Sequence, residues 1–321
     1  MPLLLTREEI QPLLDLPRAI EVTEAAFREQ AEGQVVPHAP YHIDVGRGQA
    51  LRVVSGALVK SRRVGVRLGP NAQLSGVGDR MYALLFDAES GNLLSIMGYP
   101  FGTMRTAATI ALAARHMARE NARTVGLFGV GRNALGILKG IACVRKLESV
   151  VVSSRDPERR RSFCERATKE LQVEVVPTQK PEEAVRKLDI ILTATNSPSP
   201  VFPVEWVEAG MHISSMGKPA ELSHAVYLKA DRVVVGSREH EQNYWDRSAP
   251  LPLAELAADG RLPWGKIPEL GDLVTGRAIG RESAQELTIF KESQGGFGDM
   301  AFAAWIYEEA LRRRLGREVG L

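Results

Sequence analysis

The stretch that most restricts how this chain can fold is Thr124 to Arg155, TVGLFGVGRNALGILKGIACVRKLESVVVSSR. A short apolar run, Val125 to Phe128, leads at once into Gly129, Val130, Gly131, Arg132, Asn133 and Ala134, then a helical pattern, then a second β-branched run, Val150 to Val152. Strand, glycine turn, helix and strand in that order make a βαβ unit, and that setting turns a bare glycine pattern into the expectation of a dinucleotide site. Gly129 lets the chain turn sharply, Gly131 lets backbone approach a pyrophosphate, and Ala134, where a third glycine often stands, keeps the helix against the sheet. The helix N-terminus adds N–H groups and partial positive charge for the phosphates. A tight βα turn without a ligand would use the same residues, so the flanking strands carry the inference.

The second strand closes with Ser153, Ser154 and Arg155, and no acid appears until Asp156. A site for NAD usually has a carboxylate there, about 20 residues past the glycines, to hold the ribose 2′-hydroxyl. Hydroxyls and a guanidinium suit a 2′-phosphate instead, because arginine offers a fixed fork of donors to an oxyanion. The expected cofactor is NADP, with NAD as the alternative. Arg155 also stands near Arg159, Arg160 and Arg161, where it could simply begin a solvated helix.

A length of 321 residues suits two domains, and 44% hydrophobic with 25% charged residues is ordinary for a globular protein. With 41 basic against 39 acidic side chains the formal net charge is +2, which gives no electrostatic case for binding nucleic acid or a membrane. No apolar run approaches the roughly 18 residues of a membrane span. The opening MPLLLTREEI reaches charge after three leucines, too soon for a signal peptide. The two cysteines, Cys143 and Cys164, fall in apolar helical patterns without metal-ligand spacing. Reduced core thiols, no metal and a cytoplasmic location are expected.

Along the chain, Thr6 with Glu9 forms a capping-box pattern, and Pro17 to Gln30 has helical spacing. Tyr41 to Val45, Ala50 to Val54, Gly65 to Leu68, Tyr82 to Phe86 and Leu93 to Met97 read as short antiparallel strands, the last two joined by a hairpin at Asp87 to Asn92. Arg105 to Glu120 is an alanine-rich helix leading to the glycine-turn strand. A βα rhythm continues through Val173 to Val176, a helix Pro181 to Leu188, a strand Asp189 to Thr195, a helix near Val204 to Glu208, then Met211 to Met216 and Arg232 to Gly236, as in a parallel sheet. Asp299 to Leu315 reads as a closing amphipathic helix.

Several stretches together resemble the ornithine cyclodeaminase and mu-crystallin family: Leu84 to Gly98 (LLFDAESGNLLSIMG), Met104 to Arg119 (MRTAATIALAARHMAR), the turn GVGRNALG, Asp189 to Phe202 (DIILTATNSPSPVF), Gly210 to Gly217 (GMHISSMG) and Thr288 to Trp305 (TIFKESQGGFGDMAFAAW). The resemblance implies an α/β chain: a Rossmann-type, doubly wound parallel sheet over 119–299, plus a strand-rich α+β dimerisation and substrate domain over 1–118 and 300–321. It implies a homodimer and a small amino or imino acid substrate. Arg105 of the RTAA segment is then expected near substrate and cofactor phosphates, with Thr106 beside it, and Arg52 on the substrate carboxylate, a surface arginine being the competing reading for Arg105 and for Arg52. Thr193, Ala194, Thr195 and Ser197 would lie beside the nicotinamide, with Ser215, Met216 and Gly217 on its other side. Asp299 matches a late family aspartate, and a helix N-cap is its competing role.

Two departures from the family pattern bear on mechanism. GVRLGPN, Gly65 to Asn71, places Arg67 where the family usually has lysine, and arginine binds a carboxylate but trades protons poorly. SMGKPAEL, Ser215 to Leu222, lacks the aspartate that cyclodeaminases carry there. Lys60, His42, Lys218 and Glu221 are candidate replacements, each with a solvated or structural role as the competing reading; His224 and His240 point to no metal. The leading expectation is an NAD(P)-dependent oxidoreductase that reduces a cyclic ketimine carboxylate or oxidises a small amino acid, with Arg67, Lys60 and Asp299 as candidate catalytic residues. A redox-neutral ornithine cyclodeaminase and a non-catalytic NADPH-dependent binder are the alternatives.

Overall fold

The computed structural model describes residues 1–46, 49–70, 80–244, 250–293 and 295–320. Asn71 and Gln294, which belong to two of the family motifs, lie outside them. The chain divides into two compact units: Met1–Arg105 with Glu239–Trp245 and Gln294–Leu321, and Thr106–Arg238 with Asp246–Ser293. The boundaries thus fall at Arg105 and Gln294, where 118 and 299 were expected.

The first unit is built on an eight-stranded sheet. Its strands are β1 (Leu3–Leu5), β2 (Val35–Pro37), β3 (Tyr41–Gly46), β4 (Gln49–Leu58), β5 (Arg63–Pro70), β6 (Tyr82–Asp87), β7 (Leu93–Gly98) and, late in the chain, β15 (Arg317–Glu318). Their order is β15-β1-β7-β6-β5-β4-β2, with β3 also on β4; all pairings are antiparallel except β1 with β7. The β6–β7 hairpin closes on Asp87, whose carboxylate accepts from the Ser90 N–H at 2.8 Å, and on Gly91 at φ +73°. The helix Leu16–Ala31 starts on Asp15, which accepts from the Arg18 N–H, and buries Ile20, Ala26 and Phe27. Thr6 and Glu9 form the expected capping box.

The last helix, Gly295–Arg313, starts four residues before the position the sequence pattern indicates. Gly295, Gly296 and Gly298 look like a loop because glycine is a poor helix former. Contact overrides propensity here: a Cβ on Gly296 would stand 1.9 Å from the Ser55 carbonyl oxygen, and one on Gly56 would stand 2.4 Å from Gly296 backbone. Asp299 is therefore inside the helix, not its cap.

The second unit carries seven parallel strands: β8 (Thr124–Phe128), β9 (Ser149–Ser153), β10 (Glu174–Thr178), β11 (Ile190–Thr193), β12 (His212–Ser215), β13 (Arg232–Val235) and β14 (Thr288–Lys291), ordered β10-β9-β8-β11-β12-β14-β13. β11, β12 and β14 are buried along their whole length, as strands covered on both faces must be. Two expected helices, Pro181 to Leu188 and Val204 to Glu208, are only 3₁₀ turns, Pro181–Ala184 and Val204–Trp206. Lys187 at φ +61° and Gly210 at φ +82° each reverse the chain just before the next strand. Cys164 is buried, but Cys143, expected in the core, is exposed in the last turn of the helix Ala134–Val144.

Candidate active site

The candidate residues fall into two groups, one in each unit. In the first unit, strand register decides which side chains meet. Val54 on β4 pairs with Arg67 on β5, and Arg67 with Ala83 on β6. Arg52, two residues before Val54, shares their face because side chains alternate along a strand. That face also holds Gly56 and Gly65, against which Gly296 and Met300 of the closing helix are packed.

The helix thereby brings Asp299 to the arginines. Arg67 donates from Nε to Asp299 Oδ2 at 2.9 Å, and Arg105 places its Nε 2.9 Å from Oδ1 as an ion pair without hydrogen-bond alignment. Tyr99 donates its hydroxyl to the same Oδ1, and the Arg67 guanidinium lies over the Tyr99 ring, 5.0 Å from its centroid. Burial alone would raise the carboxyl, but Arg67 and Arg105 outweigh it and hold Asp299 below its ordinary pKa. Burial would likewise lower Arg67, yet Asp299 and Tyr99 hold it above the usual arginine value. Burial and then Asp299 push the Tyr99 phenol up.

Arg52 completes the group. Burial first, then Arg67, lowers it to about 10, and its Nε is buried with no hydrogen-bond partner among the described residues. Among the described residues three guanidinium groups gather around one carboxylate, and planar forks of this kind grip a carboxylate bidentately. None of these groups exchanges a proton readily near neutral pH.

In the second unit the sheet order reverses between β8 and β11, and in open parallel sheets ligands bind outside the strand C-termini at such a point. Gly129 ends β8 at φ +99°, and a Cβ there would stand 2.5 Å from the Ala194 carbonyl oxygen, so only glycine fits. Around a Cβ on Gly131 nothing lies within 4 Å. The helix Ala134–Val144 begins without a side-chain cap from Asn133, and Ala134 is fully buried beneath it while Arg132 is exposed. Open backbone at Gly131 beside an uncapped helix start fits a dinucleotide pyrophosphate.

Ser153 closes β9, Ser154 is half-buried and Arg155 exposed. Asp156 caps the next helix, accepting from the Arg159 N–H at 3.0 Å, and is thus already engaged. Val130 follows Gly129, half-buried, and Thr106 is buried on the helix Gly102–Met117. Thr193, Ala194, Thr195 and Ser197 run out from β11, and Ser215, Met216 and Gly217 from β12. Ser197 is held in a local turn, its N–H donating to Thr195 Oγ1 at 3.0 Å and its hydroxyl to the Ser199 carbonyl at 2.7 Å.

Glu221, a candidate proton handler, is fully enclosed. Its Oε2 accepts from Thr193 Oγ1 at 2.9 Å, the Gly217 N–H at 2.9 Å and Ser215 Oγ at 3.3 Å, and its Oε1 accepts from the Thr195 N–H. Burial raises its pKa against the pull of these donors and of Lys291. With both oxygens occupied it is placed to hold backbone, not to serve a substrate.

Lys60 is not brought to the arginine cluster. It lies exposed in the β4–β5 turn, 3.4 Å from Glu32. His42 sits on β3 across from Arg52, Lys218 donates its N–H to the Thr195 carbonyl at 3.3 Å, and His224 pairs with Glu255 at 2.6 Å. His240 lies in the short helix Arg238–Gln242. Among the described residues no group of three or more His, Cys, Asp or Glu could hold a metal, and no helix is long and apolar enough to cross a membrane. Tyr99 and Lys291 escaped sequence reasoning: the first sits in an apolar strand end, and the second on a strand whose burial the sequence does not announce.

Comparison with known proteins gives a consistent pattern. Residues 1–314 match the ornithine cyclodeaminase/mu-crystallin family. A Delta(1)-pyrroline-2-carboxylate reductase of Bacillus cereus is 33% identical over 243 residues, 74% of this chain and 73% of that protein. The structure of the Thermococcus litoralis Delta(1)-pyrroline-2-carboxylate reductase in complex with NADH and L-proline superposes with a TM-score of 0.89 at 28% identity, covering 99% of this chain and 100% of that one. An archaeal alanine dehydrogenase dimer with bound NAD gives 0.87 at 26% identity, covering 100% and 99%.

Proposed function

This chain belongs to the ornithine cyclodeaminase/mu-crystallin family, and from that membership we propose that it is an NAD(P)-dependent oxidoreductase. It reduces an imino acid, such as a cyclic ketimine carboxylate, or oxidises a small amino acid in the reverse sense. The observation that carries this reading is the cluster of Arg52, Arg67 and Arg105 around Asp299, in which the buried Arg52 Nε has no hydrogen-bond partner among the described residues. A buried donor without an acceptor is costly, and a substrate carboxylate supplies the acceptor.

Bound dinucleotide would supply or accept the hydride at nicotinamide C4. Gly129, Gly131 and the start of the helix Ala134–Val144 would hold its pyrophosphate. Arg155 would hold a 2′-phosphate, and the loops after β11 and β12 the nicotinamide end. Reduction adds hydride to the α-carbon and a proton to nitrogen. The arginines hold the carboxylate, while the proton arrives with the substrate as its iminium or from solvent, because Arg67 stands where a lysine would trade protons.

Cyclodeamination needs heavier proton traffic. Glu221, the acid nearest in sequence to the missing aspartate, has both oxygens taken, which favours the simple redox reaction.

The protein acts as a homodimer in the cytoplasm. Tyr41, Ile43, Leu51, Val64 and Tyr82 lie on the face of β3 to β6 opposite the closing helix, with Tyr41 52% and Tyr82 48% exposed. Such exposed apolar side chains suit a second copy of the chain, and Cys164, buried outside any disulfide, suits a reducing compartment.

The test is to follow NADH and NADPH absorbance with pyrroline-2-carboxylate and, separately, ammonia release from ornithine. Consumption of reduced cofactor by the imino acid supports the reading. Ammonia release without net cofactor change would replace it by cyclodeamination, and tight dinucleotide binding without turnover across amino and imino acids would leave a binder.

A further inference from the structure

Three neighbouring strands of the parallel sheet, β11, β12 and β14, end in one buried polar net. Glu221 reaches from the 3₁₀ turn Pro219–Glu221 to both loops, accepting the N–H of Thr195 after β11 and the N–H of Gly217 after β12. Lys291, at the end of β14 and 2% exposed, donates from Nζ to the Gly217 carbonyl at 2.9 Å. Gly217 is thus gripped at its N–H by an acid and at its carbonyl oxygen by an ammonium, which fixes the peptide units on both sides of it. Met216 and Lys218 tie the same two loops together, donating to the carbonyls of Thr193 at 3.0 Å and Thr195 at 3.3 Å.

Removing two ionisable groups from water is expensive, and neutral side chains could join two loops at lower cost. Charged donors and acceptors give shorter, stronger and more directional bonds to backbone. The loops they fix lie at the strand C-termini, where a parallel sheet binds its ligand.

We propose that Glu221 and Lys291 are positioning residues that hold the Thr195 and Gly217 backbone as a rigid rim for the nicotinamide end of the dinucleotide; this rests on the dinucleotide reading above. The donor pattern makes the claim asymmetric. A glutamine at 221 can set its Oε1 at the Oε2 position and keep Thr193, Ser215 and Gly217. Its amide nitrogen then opposes the Thr195 N–H, donor against donor, and frees that loop alone.

The test measures calorimetric affinity of wild type and Glu221→Gln for NADH and for ADP-ribose, which lacks the ring. The variant is expected to bind NADH about tenfold to hundredfold more weakly, the range for a lost bond to a charged group, and ADP-ribose within about twofold. Thr193→Val, which removes one hydroxyl donor to the carboxylate, keeps the test open should the glutamine variant not fold; it should shift NADH by about twofold to tenfold in the same selective way. Equal weakening of both ligands, or of neither, in a folded variant overturns the proposal while leaving the dinucleotide reading intact. Wild type binding neither ligand overturns both.

Discussion

Arg67 and Asp299, 232 positions apart in sequence, meet Nε to Oδ2 at 2.9 Å in the first unit. Asp299 is also the counter-charge of Arg105 and the acceptor of the Tyr99 hydroxyl, so one carboxylate aligns two guanidinium groups and an aromatic ring. Asp299→Asn keeps the shape and removes the charge. Losing one partner of a buried ion pair costs about 3–5 kcal/mol, so the thermal midpoint should fall. In the protein that remains folded, KM for the imino acid should rise at least tenfold, with dinucleotide affinity changed less. An unaltered KM would show that the arginines keep their aim without it.

How far the sequence disclosed this arrangement differs between the two groups. The strands and helix of the second unit were legible because their pattern is local: Gly129 to Ala134 and Ser153 to Arg155 lie within one βαβ segment whose pattern defines the strands. The arginine cluster joins β4, β5, a helix start and the closing helix, and only tertiary packing decides that Asp299 points at Arg67. Gly296 is the clearest case, since its propensity argues against helix while the approach of helix backbone to the Ser55 carbonyl leaves room for glycine alone. Lys60 shows the reverse error, a chemically able side chain that register carries to the exposed end of a hairpin.

Gly131 and Gly129 separate binding from folding. Gly131 has negative φ and open space about it, so Gly131→Ala should leave the thermal midpoint nearly unchanged. The added methyl lies where a pyrophosphate would approach, and NADH and NADPH affinity should fall about tenfold or more. Gly129→Ala faces φ +99° and the Ala194 carbonyl oxygen at 2.5 Å, and should destabilise the fold itself. Circular dichroism melts beside calorimetric titrations distinguish the two, and undiminished affinity in Gly131→Ala would remove the pyrophosphate from this turn.

Replacing Arg155 tests cofactor choice. The residue is exposed just past β9, and the adjacent Asp156 is engaged as a helix cap. Arg155→Glu should weaken NADPH about tenfold or more while sparing NADH, because the new carboxylate repels a 2′-phosphate and can accept a 2′-hydroxyl. Equal loss of both cofactors would mean that Arg155 does not read the 2′ position.

His212 gives the second unit a pH-dependent stability. Its ring is fully buried on β12, with Nδ1 2.9 Å from Thr288 Oγ1 and Nε2 2.9 Å from Ser214 Oγ. Burial first, then Arg281, lowers its pKa to about 3, whereas an unfolded histidine titrates near 6.5. Between those values the unfolded chain binds the additional proton, so stability is full above about pH 6.5 and declines as pH falls toward 3. From pH 6.5 to 5 the decline from this one residue is about 2 kcal/mol at 1.36 kcal/mol per unit. His212→Asn cannot titrate; it should start from a lower midpoint, since one ring partner is lost, yet show a flatter dependence over that interval. Denaturant unfolding of both proteins at pH 7.5, 6.5, 5.8 and 5.0 measures the difference in slope. Parallel curves would mean that His212 takes up its proton without unfolding, the Ser214 hydroxyl turning to accept from Nε2 while Thr288 Oγ1, which donates to the Met117 carbonyl, already accepts from Nδ1.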